Sequence, residues 1–255
     1  MSKPVLLIRA HGNDEDSAEL AKFGIVALID PYLQLTVAED TGPAFALLDL
    51  IESSLEPVWI IATSVNAIEY WAKLVGQERL RRYFSSRLNL NFAAVGKKTA
   101  DALSKYGAKR VLVPQEANAA TLAKELISKH HPGRALIPGG NLAMQNLPMD
   151  LVDFRWQVNS ATVYLTRTVP REPKSAQRVR DLELSAILLR SPSAVEALIH
   201  FVPSPQIPLV CAGATTARAV QAQGLRVAAI SAGPSPAEVA VAVRALLERQ
   251  NNGHH

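Results

Sequence analysis

The chain has one cysteine among its 255 residues, Cys211, so it can form no intramolecular disulfide. That thiol sits in the apolar run PLVCAG, where a buried structural role is the ordinary one. Long apolar runs are missing too. VLLI, WIIA and AILL are far shorter than the roughly 20 residues needed to cross a bilayer, so no membrane partner is expected. The amino end, MSKPVLLIRAHG, passes straight into a strand-like run without the apolar core and small-residue cleavage site of a secretory signal. A cytoplasmic protein is the expectation. The histidines (His11, His130, His131, His200, His254, His255) lack the i, i+4 spacing of a helical zinc pair, so no metal is expected. Aromatic residues make up only 5% of the chain, and the basic ones are scattered. Nucleic acid recognition would want a concentrated basic face with aromatic platforms. The net charge of +4 suits a small anionic ligand equally well. Familiar catalytic signatures are absent as well: no GxGxxG after a strand, no GxxxxGK[ST], no GxSxG and no nucleophile–histidine–acid set. Chemistry here would have to run on binding, orientation and electrostatics.

What is present is an alternation of short β-branched runs with amphipathic helical stretches. Strands are expected at 5–9, 25–30, 58–62, 91–95, 110–114, 134–138, 161–166, 186–190, 208–212 and 226–230. Helical patterns of 10–15 residues separate most of them, as in βαβ units with a parallel sheet. The fold class is therefore α/β.

The chain also repeats itself. VWIIATSVNAIE (58–69) lies on SAILLRSPSAVE (185–196), which sets Ser64 on Ser191 and Asn66 on Ser193. AAVGKKTADALSKYGA (93–108) lies on VCAGATTARAVQAQGL (210–225), setting Gly96 on Gly213 and Thr99 on Thr216. ANAATLAKEL (117–126) lies on PSPAEVAVAV (234–243), and PVLLIR (4–9) weakly on RALIPG (134–139). The register changes from 127 to 117, a ten-residue insertion around GQERLRRYFSS. The order of the blocks implies two similar α/β domains, one continuous over 36–166 and one assembled from 1–35 and 167–250. Residues 251–255 are set aside as a tail or cloning remnant. The chain would cross between domains near PYLQLTV and near YLTRTVPREPKSAQ, whose Pro170 and Pro173 suit an extended segment.

Several strand ends run into a helix start. Asn66 with Glu69, Ser193 with Glu196, and Ser235 with Glu238 each read as a capping box. Gly96-Lys97, Gly213 followed by Thr215 and Thr216, and Gly139-Gly140-Asn141 are turns where a ligand can approach the backbone and find free N–H groups. In parallel sheets such turns lie at the carboxyl ends of the strands, where ligands bind. Two such domains would face each other across a cleft suited to a polycarboxylate. A plain helix cap is the commoner role for any one of these residues, so the case rests on the paired set.

The runs IATSVNAIE, AVGKKTADALSKYGA, VYLTR, LLRSPSAVEAL and CAGATTARAVQAQGL, with ISAGPSPAEVA behind them, resemble the motifs of uroporphyrinogen-III synthases in their usual order. The resemblance spans about 4–245. It implies two flavodoxin-like domains on a two-stranded linker, acting as a monomer with no cofactor. The implied substrate is hydroxymethylbilane, which carries eight carboxylates, and the implied reaction closes it with its last pyrrole inverted through a spiro intermediate. A transient contact with hydroxymethylbilane synthase is the one protein partner considered. By motif, Tyr164 assists loss of the substrate hydroxyl, although a tyrosine packed at the hinge fits equally well. Thr63, Ser64, Asn66, Ser191, Ser193, Thr215 and Thr216 become carboxylate binders, with Gly96, Lys97, Gly140 and Gly213 at the turns. Arg9 matches a basic position common in the family and would pair with a carboxylate, though RAH stands where many members have arginine then proline. Two rivals remain: a non-catalytic tetrapyrrole-binding or regulatory module of the same fold, and a two-domain binding protein of periplasmic type.

Overall fold

Strands and helices alternate along nearly the whole of the computed structural model, which describes residues 3–252. From the amino end come β1 (Val5–Leu7), α1 (Asn13–Ala21), β2 (Ala27–Ile29), β3 (Leu33–Val37), α2 (Gly42–Ser53), β4 (Val58–Ala62) and α3 (Val65–Val75). Next are α4 (Gln77–Ser86), β5 (Leu90–Ala94), α5 (Lys97–Lys105), β6 (Val111–Leu112), α6 (Ala119–Lys129), β7 (Arg134–Gly140), α7 (Asn146–Asp153) and β8 (Gln157–Thr168). The chain continues through α8 (Ser175–Arg180), β9 (Ala186–Leu189), α9 (Pro192–Phe201), β10 (Leu209–Cys211), α10 (Ala214–Ala222), β11 (Val227–Ile230) and α11 (Pro236–Asn252). Residues 251–252 thus continue the last helix, and 253–255 lie outside the described residues.

By its internal contacts the chain divides into two units, Met1–Leu35 with Arg167–His255, and Thr36–Thr166. The first unit holds a sheet of order β11-β10-β9-β1-β2, with every pairing parallel. The second holds the order β3-β8-β7-β4-β5-β6, parallel from β8 to β6. The central strands of both sheets, β1, β9 and β10 in one and β4 in the other, are buried on two faces, which explains why they are continuous apolar runs and not alternating ones. Along β4, Val58, Ile60 and Ala62 enter one core while Trp59 and Ile61 enter the other. Along β9, Ile187 and Leu189 divide from Ala186 and Leu188 in the same way. Cys211 lies in the first of that unit's cores, and burial pushes its thiol up to about 11.

Several strands differ in their bounds from the sequence expectation, β1 and β2 among them, which cover only Val5–Leu7 and Ala27–Ile29. β8 starts four residues earlier than expected and runs two beyond, and PYLQLTV forms β3 beside it. Ala38 N donates to Val163 O at 3.2 Å and Val169 N to Tyr32 O at 2.9 Å, so this pair runs antiparallel. β6 is cut to two residues, and its start is set by Arg110, which adopts a left-handed φ of 56° just before it. The ten-residue insertion forms α4, whose Leu80, Tyr83 and Phe84 join the core.

Candidate active site

In the unit 36–166, β4 ends at Ala62 and delivers Thr63 and Ser64 to the start of α3. Ser64 is the cap: its Oγ accepts a hydrogen bond from Ala67 N at 3.1 Å. This corrects the reading of Asn66 as the cap. Asn66 already lies within the helix, and Glu69 is drawn away to Lys105 and Tyr106. Next along the sheet, β5 ends before Gly96, which caps α5 with no side-chain hydrogen bond. Lys97 is exposed there and paired with Asp101 at 3.3 Å.

β7 ends in Gly139-Gly140, and here the pairing with β8 slips: Gly139 faces Thr162, but Gly140 faces Tyr164. Such an irregularity re-aims a side chain. The half-buried Tyr164 ring comes down directly on Gly140, where a Cβ would meet Cζ at 2.5 Å, Cε2 at 2.6 Å and the hydroxyl at 2.8 Å. Tyr70 of α3 flanks the ring at 5.4 Å between centroids. Asn141 clips the strand behind it, its N donating to Tyr164 O at 3.1 Å and its Oδ1 accepting from Thr166 N at 2.8 Å. Among the described residues the Tyr164 hydroxyl has no hydrogen-bond partner, so it is free to donate to a ligand. The structure therefore gives Gly140 a definite neighbour, the tyrosine, where the sequence suggests an open approach to backbone.

The other unit has a similar edge. β9 leads to Ser191, whose Oγ accepts from Ala194 N at 3.3 Å and lies 3.0 Å from Ser193 Oγ. Ser191 is thus the cap of α9, and the reading of Ser193 with Glu196 as a capping box is corrected, since Ser193 lies inside the helix. Ser235 and Glu238 do form the reciprocal box, at 3.1 and 3.3 Å. β10 ends before Gly213, which, like Gly96, caps its helix without a side-chain bond. Nothing stands within 4 Å of where a Gly213 Cβ would be. Thr216 is 4% exposed and packs within the unit, which leaves Thr215 as the hydroxyl on this edge. Arg9 follows β1 and meets Asp16 at 3.5 Å.

Sequence reasoning missed a polar link in the unit 36–166. Tyr106 donates to Glu69 at 2.9 Å, and Lys105 reaches the same carboxylate at 2.9 Å, tying α5 to α3. Burial raises Tyr106, helped by the Glu69 carboxylate, from 10.0 to about 12. Burial pushes Glu69 up as well, but its bonds to Lys105 and Tyr106 outweigh this and hold it below its ordinary value. For Tyr106 the sign follows directly: above its unfolded value the unfolded chain ionises first, so stability falls as pH rises from 10.0 towards 12. Tyr106→Phe should lower the melting temperature at neutral pH and flatten that alkaline loss, as read by calorimetry against pH.

Three comparisons bear on identity. The profile described as uroporphyrinogen-III synthase HemD matches residues 14–240. The chain belongs to the uroporphyrinogen-III synthase family. A uroporphyrinogen-III synthase of Chlorobaculum parvum is 26% identical over 180 residues, 66% of this chain and 71% of that protein. A crystal structure of a mutant uroporphyrinogen III synthase from Thermus thermophilus superposes with a TM-score of 0.60 at 14% identity, covering 97% of this chain and 100% of that one. The Helicobacter pylori uroporphyrinogen-III synthetase gives 0.59 at 15% identity, covering 98% and 99%. These two carry the α/β fold with parallel sheets.

Uroporphyrinogen-III synthase is an enzyme of haem biosynthesis, and the family match takes in Tyr164 and every candidate residue except Arg9. Two cavities within single units lie elsewhere. One of about 490 Å³ sits between Lys3, Phe23 and Arg244, and one of about 900 Å³ lies at the amino ends of β4 and β7, lined by Pro57 and Gly133. Neither touches the candidate residues of the synthase family motifs, which gather at the opposite, carboxyl ends of the strands. Among the described residues no group of three His, Cys, Asp or Glu is placed to hold a metal ion, and no helix is long and apolar enough to cross a membrane.

Proposed function

We propose that the protein is a hydroxymethylbilane-cyclising lyase that works without a cofactor and as a monomer, built from two flavodoxin-like domains on the β3–β8 strand pair. Tyr164 donates a hydrogen bond to the departing hydroxyl, leaving an azafulvene cation. Ring D is attacked at its substituted carbon, and the spiro intermediate fragments and recloses with that ring inverted. The observation that carries this reading is the hydroxyl of Tyr164, without a hydrogen-bond partner among the described residues and seated on Gly140 at a strand end flanked by Tyr70 of α3. Ser64, Ser191 and Thr215 supply hydroxyls that donate to substrate carboxylates, and the uncapped starts of α5 and α10 supply backbone donors.

A substitution at Gly213 separates binding from stability. The residue is extended (φ 166°), so any side chain fits its backbone. Aspartate there would cap α10 and complement its dipole, so the melting temperature should hold or rise. The same carboxylate would occupy the open N–H groups and repel substrate. KM for hydroxymethylbilane in a coupled assay should rise about tenfold, the loss of one charge-assisted contact. An unchanged KM would remove α10 from the binding surface.

A further inference from the structure

Helix α3 is pinned on two sides, and Tyr70 stands between the pins. Ala67, Ile68 and Trp71 are buried, and Trp71 Nε1 donates to Ala44 O of α2 at 2.9 Å. Glu69 accepts from Lys105 and from Tyr106, which ties the helix to α5. The Ser64 cap fixes its first turn. Side chains on a helix lean towards its amino end, so Tyr70 leans back towards the edge where Ser64 stands. Its ring is half-buried and packs against the core of the unit. Lys73, one turn on, holds its ammonium 4.2 Å from the ring centroid, a cation–π contact that braces the ring from the same helix.

Tyr164 lies on β8, next to the edge strand of its sheet, and its side chain is half-buried. Gly140 makes room for the ring but has no side chain with which to hold it. A tyrosine in such a place can swing among its staggered χ1 wells unless a neighbour closes them. Tyr70 is that neighbour. The two ring centroids are 5.4 Å apart and the planes meet at 40°, a tilted pair within the roughly 4.5–7 Å over which aromatic rings attract. The Tyr164 hydroxyl makes no hydrogen bond among the described residues, so contacts of its ring, not a bond at its tip, set where it points.

We propose that Tyr70 is the positioning residue for the Tyr164 hydroxyl: its ring closes the swing of the Tyr164 ring and keeps the phenol aimed at the departing group. The assignment rests on the reading above, in which Tyr164 is the donor. It calls for the ring of Tyr70 and not for its hydroxyl, since the contact with Tyr164 is ring to ring.

The test is steady-state kinetics on the full chain, with hydroxymethylbilane generated in place and isomer III measured. Tyr70→Leu keeps an apolar side chain and a good helix former, so the fold should persist. It should lower kcat about tenfold to hundredfold with KM within about twofold, the result of misplacing a reacting group by about 1 Å. Tyr70→Phe restores the ring and should keep kcat within about twofold of the wild type. In a Tyr164→Phe background, Tyr70→Leu should lower kcat no further, because the hydroxyl it would misplace is gone. Full kcat in Tyr70→Leu, with only the melting temperature lowered, would make Tyr70 a packing residue and overturn the proposal. So would a loss in Tyr70→Phe as large as that in Tyr70→Leu, which would place the effect in the Tyr70 hydroxyl. Failure of the cyclase reading shows separately, as a wild type that forms no isomer III. The positioning is then read from NMR relaxation of isotope-labelled tyrosine rings, the Tyr164 signal being the one missing from Tyr164→Phe. That ring should be rigid in the wild type and in Tyr70→Phe and mobile on the picosecond-to-nanosecond scale in Tyr70→Leu. A Tyr164 ring equally rigid in all three would remove Tyr70 from this role.

Discussion

Tyr164→Phe is expected to lower kcat for isomer III by about tenfold to hundredfold, the worth of a hydrogen bond to a group developing charge. The fold should not notice. The hydroxyl has no protein partner among the described residues, and the ring keeps its contacts with Gly140 and Tyr70. The melting temperature should stay within about 2 °C, as for a change that breaks no buried contact. KM should hardly move, because the hydroxyl acts on the departing group and not on the carboxylates that anchor the substrate. A variant with full kcat would make Tyr164 a packing residue only.

Gly140→Ala should do comparable damage from behind. A methyl group at this position overlaps the tyrosine ring, with Cζ only 2.5 Å away. The ring must lift, and Tyr70 on its flank limits where it goes. A displacement of about 1 Å is enough to cost about a hundredfold in rate, and the overlap should cost about 1–3 kcal/mol of stability. The double variant with Tyr164→Phe discriminates two accounts of the glycine. If Gly140 acts by seating the hydroxyl, kcat of the double variant falls no further than that of the worse single one. If it acts by letting substrate approach the backbone, the two losses multiply.

The strands were legible because burial on both faces leaves a plain mark, an unbroken apolar run such as VLLI or VWIIA. β3 and the ends of β8 left no such mark. Their residues are half-exposed and mixed in character, and what makes them strands is their pairing with each other. The repeat also finds its physical counterpart: β4 and β9 hold the same place in the two strand orders, as do β5 and β10, and β7 and β1. Helix starts were legible to within two residues. Ser64 and Asn66 are both good cap residues, and only the geometry at Ala67 chooses between them. Contacts distant in sequence were not legible. Asp16 meets Arg190 across 174 positions, and Tyr106 meets Glu69 across 37, with no pattern connecting either pair. Nor does the composition of RALIPGG reveal that Gly140 carries a tyrosine ring, because that follows from a one-residue slip between β7 and β8.

The most direct measurement of the central claim is the isomer ratio. Hydroxymethylbilane is generated in place by its own synthase, the products are oxidised, and the I and III isomers are separated by chromatography with and without the protein. The account predicts that isomer III replaces isomer I in proportion to the protein added, and that Tyr164→Phe needs about ten to a hundred times more protein for the same ratio. Isomer I persisting as the main product at high wild-type concentration would contradict it, and would leave a tetrapyrrole-binding relative of the family in its place.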